Sequence, residues 1–100
     1  MNHPPTSLQS VLWSANVDTL NIEKDKSYII HQILSHGTLA HIRWLFQTYP
    51  KDTIQTVFQN YPYKDYRAVR FAFVINHLLH LNRDRLDERN YVKNIPRAIG

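Results

Sequence analysis

The sequence predicts an all-α protein, a compact bundle of four to five short helices that follows an irregular N-terminal lead-in. Three observations lead to this fold class. Apolar residues recur at intervals of three and four over much of residues 22–81, the spacing of a helix with one buried face. Glycine and proline fall where these runs end, at Gly37, Pro50 and Pro62. The length of 100 residues and the apolar share of 43% support one modest hydrophobic core.

The N-terminal part of the chain lacks a clean period. Residues 1–10 are polar, with prolines at positions 4 and 5, and we expect them to be disordered. Residues 11–95 then form a single helical domain, and residues 96–100 form a frayed end. Within residues 11–25, Asn16, Asp18 and Asn21 favour turns because their side chains compete for nearby backbone groups. We predict an irregular, packed segment there, with Trp13 as an anchor on the helices.

Local signals place the first three helices. The first is predicted over 22–35, with Asn21 as its N-cap and with Gly37 in the left-handed conformation that closes it. Thr38 is predicted to cap the second helix, which covers Leu39–Thr48. The apolar spacing predicts the third helix over Lys51–Asn60.

The fourth predicted helix, over 65–82, is unusual because it is apolar nearly all round. Four residues form its main apolar face, and four more point elsewhere. The first set is Phe71, Ile75, Leu78 and Leu79, and the second is Val69, Phe73, Val74 and Leu81. Such a helix is buried on more than one side, so we expect it to be central or to form an interface for self-association. A last, charged helix is predicted over 83–93.

Composition narrows the classes of function. The chain has no cysteine, which excludes disulfides and thiolate metal sites. No apolar run approaches the roughly 20 residues that a membrane helix needs, and the start of the chain lacks a signal pattern. We therefore expect a cytoplasmic protein without membrane contact. The net charge of +4 arises entirely in residues 64–100, which indicates either a surface for phosphate or acidic groups, or a solvated basic end.

Catalytic and metal-binding patterns are weak. The six histidines come without an HExxH pattern, and residues 71–82 hold no acid, so we predict histidines at helix rims, with no metal site and no cofactor. Arg70 and His77 lie seven residues apart, which resembles the signature of the HEPN superfamily of small helical ribonucleases. In that superfamily the pair acts on the scissile phosphate, so the resemblance implies a ribonuclease as one alternative. The main prediction is that the protein is not an enzyme.

A DNA-binding regulator is a further alternative. The helices predicted over residues 39–60 have the lengths of a helix-turn-helix, although the third helix offers few cations for backbone contacts. The basic C-terminal third would then supply the phosphate contacts, through Lys64, Arg67, Arg70, Arg83, Arg85 and Arg89.

Residues 12–58 resemble a family of small, uncharacterised bacterial and archaeal proteins. The resemblance begins with the run LWSANVDTLNIEKD at residues 12–25 and continues with a branched apolar helix that ends in glycine. A Trp-Leu pair and an Ile-x-x-Val helix follow. These features rest on Ile29, Ile30, Ile33, Leu34, Gly37, Trp44, Leu45, Tyr49, Ile54 and Val57. Ser14, Asn16 and Asn21 stand where the family has acids, and the pattern is mostly lost beyond Tyr61.

Genes of that family often lie beside nucleotidyltransferases of the abortive-infection toxin type, so the resemblance implies an antitoxin or accessory role. Together with the apolar fourth helix, this makes a non-enzymatic protein-interaction module the main prediction. Its contacts are predicted to be aromatic anchors, off-face apolar residues and terminal arginines, namely Trp13, Trp44, Phe73, Leu81, Arg83, Arg85 and Arg89. The partner is either the nucleotidyltransferase or a second copy of this chain.

Overall fold

Four α-helices carry the described part of the chain, which comprises residues 4–13, 15–64, 66–81 and 86–92 of the computed structural model. They are α1 (Lys26–His36), α2 (Leu39–Thr48), α3 (Lys51–Asn60) and α4 (Ala68–Phe73). The remaining elements are 3-10 turns at Thr6–Leu8, Val17–Thr19 and Glu88–Asn90, and a π-helical segment, Val74–Leu78. The predicted all-α class is confirmed. None of the helices in these ranges is long and apolar enough to cross a bilayer.

The α1 helix lies at the centre of the core. Its residues from position 29 to position 35 are all buried, and it packs against both α2 and α3. A helix buried on several sides needs an apolar surface that extends well beyond one stripe. Ile29, Ile30, Ile33 and Leu34, all fully buried, provide that surface. The predicted fourth helix shares this burial, since Phe71 and Ile75 are also fully buried.

The sequence correctly places the turn from α1 to α2 but not its conformation. Gly37 has φ −73° and ψ 159°, so the predicted left-handed conformation is wrong. Glycine is required here by space, because a Cβ at this position would lie 2.6 Å from the carbonyl oxygen of Ile33 and 3.1 Å from Cβ of His41. The predicted cap is confirmed: the Thr38 hydroxyl accepts from the His41 amide, and His41 Nδ1 accepts from the Thr38 amide.

The α1 helix begins later than predicted, at Lys26. Asn21 is therefore not its N-cap, although its side chain does cap the preceding turn. Its Oδ1 accepts from the backbone amides of Glu23 and Lys24, at 2.9 Å each. The Asp25 carboxylate in turn accepts from the Asn21 amide at 2.8 Å. Asn21 thus makes capping hydrogen bonds, but in the turn that precedes α1.

The N-terminal lead-in is irregular and packed, as predicted. The Gln9 side chain holds it together: its Nε2 donates to the carbonyls of Leu12 and Ala15, and its Oε1 accepts from the Val17 amide. The sequence predicted disorder over residues 1–10. In the structure, residues 6–8 form a 3-10 turn and Leu8 is only 2% exposed, whereas residues 1–3 lie outside the described residues.

The helix predicted over 65–82 is shorter and changes type. The α-helical part covers only Ala68–Phe73, and the chain then widens into the π-helical segment. His80 adopts φ 53°, and the Leu81 amide donates back to the Ile75 carbonyl at 2.8 Å, which closes the helix in the manner of a C-terminal cap. Gln55 Nε2 also donates to the Leu79 carbonyl at 2.7 Å, tying this end to α3.

The charged helix predicted over 83–93 is wrong for the part that the structure describes. Residues 86–92 contain only the short turn Glu88–Asn90, followed by Tyr91 and Val92, which are both buried. The Tyr66 amide donates to the Tyr91 carbonyl at 2.9 Å, within an isolated parallel bridge between Tyr66 and Val92. Residues 82–85 and 93–100, which include the end predicted to fray, lie outside the described residues.

Candidate interaction surface

Exposed apolar side chains concentrate where α1 ends. The described residues expose four large apolar side chains: Trp13 at 57%, Leu39 at 74%, Tyr61 at 61% and Val69 at 84%. Trp13 places its ring 4.9 Å from that of His36, the last residue of α1. Leu39 starts α2 just beyond the turn. We call Trp13, Leu39 and Val69 the turn surface.

Arg70, the residue that follows Val69, connects α4 to this turn. Its guanidinium donates to the Leu34 carbonyl at 3.2 Å and to the Gly37 carbonyl at 2.9 Å. These carbonyls lie at the C-terminal end of α1, where backbone acceptors lack helical partners and a positive charge is favourable. Arg70 therefore has a structural role that its predicted roles in nucleic-acid binding and catalysis did not anticipate.

The other predicted contact residues are dispersed. Trp44 is partly buried in α2, with its ring edge-on to Tyr49 at 6.4 Å. Phe73 and Leu81 are partly buried against the core. Arg89 is exposed and pairs with the Asp87 carboxylate at 3.1 Å, while Arg83 and Arg85 lie outside the described residues. Of the predicted set, Trp13 belongs to the turn surface, and Phe73 lies one helical turn after Val69 on α4.

Sequence reasoning missed the other two members of the turn surface. Leu39 fits the apolar stripe of α2, so its spacing indicated a buried residue. Val69 was assigned off the main face of the fourth helix, but nothing in the pattern distinguished exposure from burial. In both cases the residue stands in the first turn of its helix and is largely exposed.

The described residues of the two nucleic-acid alternatives differ in their exposure and contacts. Lys64 and Arg67 are exposed, whereas the Arg70 guanidinium is bound to backbone carbonyls. His77 is exposed, with its ring 5.7 Å from that of Phe73. The π-helical segment between Arg70 and His77 changes the angular spacing, so the assumption of two regular α-turns between them does not hold.

A shallow depression lies at the opposite end of α1. Two adjoining hollows of about 280 and 250 Å³ share Lys26, Val57 and Tyr61 in their walls. Glu23 and Asp52 add carboxylates, and Thr53 and Thr56 add hydroxyls. This wall of mixed charge is open to solvent.

A buried aromatic cluster occupies the core between α1, α3 and α4. The ring centroid of Tyr91 lies 4.6 Å from that of Phe58 and 5.2 Å from that of Phe71. The Phe58 ring also lies 5.7 Å from the Tyr66 ring and 5.7 Å from the His31 ring. We call these five residues (His31, Phe58, Tyr66, Phe71 and Tyr91) the aromatic cluster. The Tyr91 hydroxyl donates to the Phe58 carbonyl at 2.6 Å, and burial raises the pKa of Tyr91 to about 12.

His31 is the polar centre of this cluster. Its Nε2 donates to the Tyr61 carbonyl at 2.6 Å. Because a carbonyl only accepts, the proton of the neutral ring is assigned to Nε2, and Nδ1 accepts from the Tyr66 hydroxyl at 2.8 Å. The Tyr63 ring stacks on the imidazole at 5.4 Å. The prediction that the histidines lie at helix rims is therefore wrong for His31.

Burial determines the protonation state of His31. Removal from water lowers its pKa from 6.5 to about 4, because the imidazolium loses its hydration. Hydrogen bonding with the backbone of Tyr61 and Val57 opposes this shift only in part. His31 is thus neutral near pH 7, which suits a structural hydrogen-bonding role. The sequence signal for this burial is the position of the histidine within the apolar run Ile29–Leu34.

Metal-ligating side chains do not gather in the described part of the chain. No group of three or more histidine, aspartate or glutamate residues there lies close enough to hold a metal ion. Four described histidines contact neighbouring rings or caps instead: His31 contacts Tyr66, His36 contacts Trp13, His41 contacts Thr38 and His77 contacts Phe73.

Fold and surface thus describe a small all-helical domain with exposed apolar side chains among the described residues. A family model for a family of unknown function, DUF6922, matches residues 8–58, just over half of the chain. The chain therefore belongs to the DUF6922 family. The match includes the stretch 12–58 on which the resemblance rested, and the association with a toxin stays a prediction. No curated protein and no solved structure matches the chain significantly.

Proposed function

We propose that this protein is a non-enzymatic protein-interaction module that binds its partner through the turn surface. The observation that carries the proposal is the exposure of Trp13, Leu39 and Val69. Trp13 contacts the last residue of α1, Leu39 begins α2 just after the turn, and Val69 precedes Arg70, whose guanidinium binds that turn. Exposed apolar side chains that gather in one place are typical of protein–protein contact sites. A large aromatic such as Trp13 commonly supplies much of the binding free energy at such sites.

The nucleotidyltransferase suggested by the sequence resemblance is the first partner to test. In this proposal the turn surface covers part of the toxin, and the protein acts as its antitoxin or accessory subunit. Two parts of the surface, Trp13 and Leu39, fall within the family-matched residues 8–58. Val69 and Arg70 lie outside them.

Co-expression tests the proposal directly. The full chain, with an affinity tag, is produced together with a nucleotidyltransferase of the type that the resemblance implies, and both co-purification and relief of growth inhibition are measured. We expect a stoichiometric complex that Leu39→Glu combined with Val69→Glu abolishes, because each substitution places a charge in the apolar contact. Tyr61→Glu is the matched control, since Tyr61 is similarly exposed but lies at the other end of α1.

Two outcomes would contradict the proposal. A protein that stays monomeric and leaves the nucleotidyltransferase free would remove the proposed partner. A complex that forms equally well with the double variant would remove the turn surface as the contact. Circular dichroism of both variants establishes that they retain the helical fold, which is expected because the substituted positions are largely exposed.

A further inference from the structure

We propose that the turn surface receives an acidic amphipathic segment of the partner protein. This inference rests on the proposed function and adds the chemistry of the partner to it. The apolar centre of the surface requires apolar side chains opposite it. The charges around that centre then determine which polar residues flank them.

The residues of the turn surface lie in stretches of the sequence that hold no acid. No aspartate or glutamate occurs in residues 1–17, 26–51 or 66–83. The turn surface and its supporting helix ends belong to these three stretches. Asp65, the acid nearest to Val69 in the sequence, lies outside the described residues.

Cationic side chains flank the apolar centre on two helices. Arg43 is exposed and lies four residues after Leu39 on α2, so both side chains share a face of that helix. Arg67 is exposed at the N-cap of α4, two residues before Val69. Arg70 adds a third positive charge beside the turn, through its contacts with the carbonyls of Leu34 and Gly37.

The two ends of α1 therefore differ in charge. Glu23, Asp25 and Asp52 lie near its start together with lysines, whereas the Arg70 guanidinium binds carbonyls at its end. At about 1.5 Å per residue, the 11 residues of α1 separate these ends by roughly 16 Å. This exceeds the Debye length of about 8 Å at physiological ionic strength, so a ligand at the turn experiences mainly the local positive charge.

A protein segment fits this surface better than a nucleic acid does. Leu39 and Val69 are aliphatic and offer no ring on which a base could stack. The Trp13 ring already contacts the His36 ring. An amphipathic helix, with apolar residues at i, i+3, i+4 and i+7, would cover the three apolar side chains and place its acidic flanks beside the arginines.

Synthetic peptides provide the test. The probe is a dye-labelled peptide of about 18 residues, or five helical turns, with leucine at the four spaced positions and glutamate on its polar face. A matched peptide carries lysine in place of glutamate, and single-stranded oligo-dT represents nucleic acid. Fluorescence anisotropy with the full chain measures affinity, and amide chemical shifts locate the contact.

We expect the acidic peptide to bind, with a Kd of about 1–100 μM because the surface is small, and the lysine peptide and oligo-dT to bind at least about tenfold more weakly. Leu39→Ser with Val69→Ser should weaken binding about tenfold or more. Arg43→Gln with Arg67→Gln should weaken it and reduce its salt dependence. Tyr61→Ser and Lys51→Gln are the matched controls and should have no effect.

Several results would overturn the inference. These are tighter binding of the lysine peptide or of oligo-dT, shift changes centred on Tyr61, no binding of the acidic peptide, or self-association in sedimentation that buries the turn surface against a second copy. The arginine variant separates this inference from the proposed function. If the partner complex is lost in Leu39→Glu with Val69→Glu but keeps its affinity in Arg43→Gln with Arg67→Gln, the interaction role stands and the acidic segment does not.

Discussion

The aromatic cluster packs against the middle of α1 and the turn surface lies near its end, and the two regions differ in burial: the side chains of the cluster are buried, whereas those of the turn surface are exposed. In the cluster, the polar atoms of His31, Tyr66 and Tyr91 all have hydrogen-bond partners. No buried side-chain nitrogen or oxygen among the described residues lacks a partner. At the turn, by contrast, Leu39 and Val69 leave most of their apolar area in water.

This difference separates the apolar area that folding buries from the apolar area that stays exposed to water. The core closes by itself around α1, since the aromatic cluster is buried without help from a second chain. Burying the turn surface as well would stabilise the protein at about 25 cal/mol per Å² of apolar area. The fold does not use that free energy, which is therefore available to a partner.

The largest expected effect comes from opening the aromatic cluster. Phe58 is fully buried and packs against four rings, those of His31, Tyr66, Phe71 and Tyr91. Phe58→Ala should lower the free energy of unfolding by about 3–5 kcal/mol, because it leaves a cavity among rings that cannot collapse. Urea denaturation measures this. If Trp13→Ala destabilises the protein as much, the two regions do not differ as described.

The second-largest effect is expected from acid, which should lower the free energy of unfolding by protonating His31 in the aromatic cluster. The pKa of His31 is about 4 in the folded protein and 6.5 in the unfolded chain, so the unfolded chain binds the proton more tightly. The contribution of neutral His31 to the free energy of unfolding is fully present above pH 6.5 and falls as the pH drops towards 4. The slope is about 1.4 kcal/mol per pH unit, and about 3 kcal/mol is lost in total.

Because carboxylates also titrate in this range, the test compares two variants. His31→Gln should flatten the pH dependence of the unfolding free energy between pH 6.5 and 4. His77→Gln, at an exposed position, should retain it. Equal slopes for the two variants would show that His31 does not control the acid response.

How much of the fold was predictable depends on where its signals lie in the chain. The bounds of α2 and α3 were predicted to the residue because Thr38 and Pro50 mark their starts locally. The end of the fourth helix was wrong because it depends on His80 in a left-handed conformation and on Gln55 from a distant helix. Local residue propensities indicate neither the conformation of His80 nor the hydrogen bond from Gln55.

The site was less predictable than the fold. Trp13 was expected to contact the helices, and its ring does contact His36, yet helical spacing assigned Leu39 to the core. Arg70 reaches carbonyls more than thirty positions back along the chain, a contact that spacing within one helix cannot indicate. Burial of Tyr66 and Tyr91 likewise results from pairing between segments that are remote in sequence.

A smaller effect is expected where the core meets the turn surface. An alanine at position 37 would place its Cβ 2.6 Å from the Ile33 carbonyl oxygen, so the turn must shift. We expect Gly37→Ala to lower the free energy of unfolding by about 1–3 kcal/mol, as overpacking usually does. Thermal and urea denaturation check this. An unchanged stability would mean that the turn adjusts freely, and that it is not a rigid support for Leu39.

The smallest effect, and the sharpest contrast with Phe58→Ala, is expected at Val69. This residue is 84% exposed in the first turn of α4, so truncation removes little packing. Alanine also has the higher helix propensity, because valine loses side-chain freedom in a helix. We expect Val69→Ala to leave the free energy of unfolding unchanged or to raise it by up to about 0.5 kcal/mol, measured by urea denaturation. A loss above about 1 kcal/mol would place Val69 within the core's own stabilising contacts, and the turn surface would then lose its most exposed member as a candidate for partner binding.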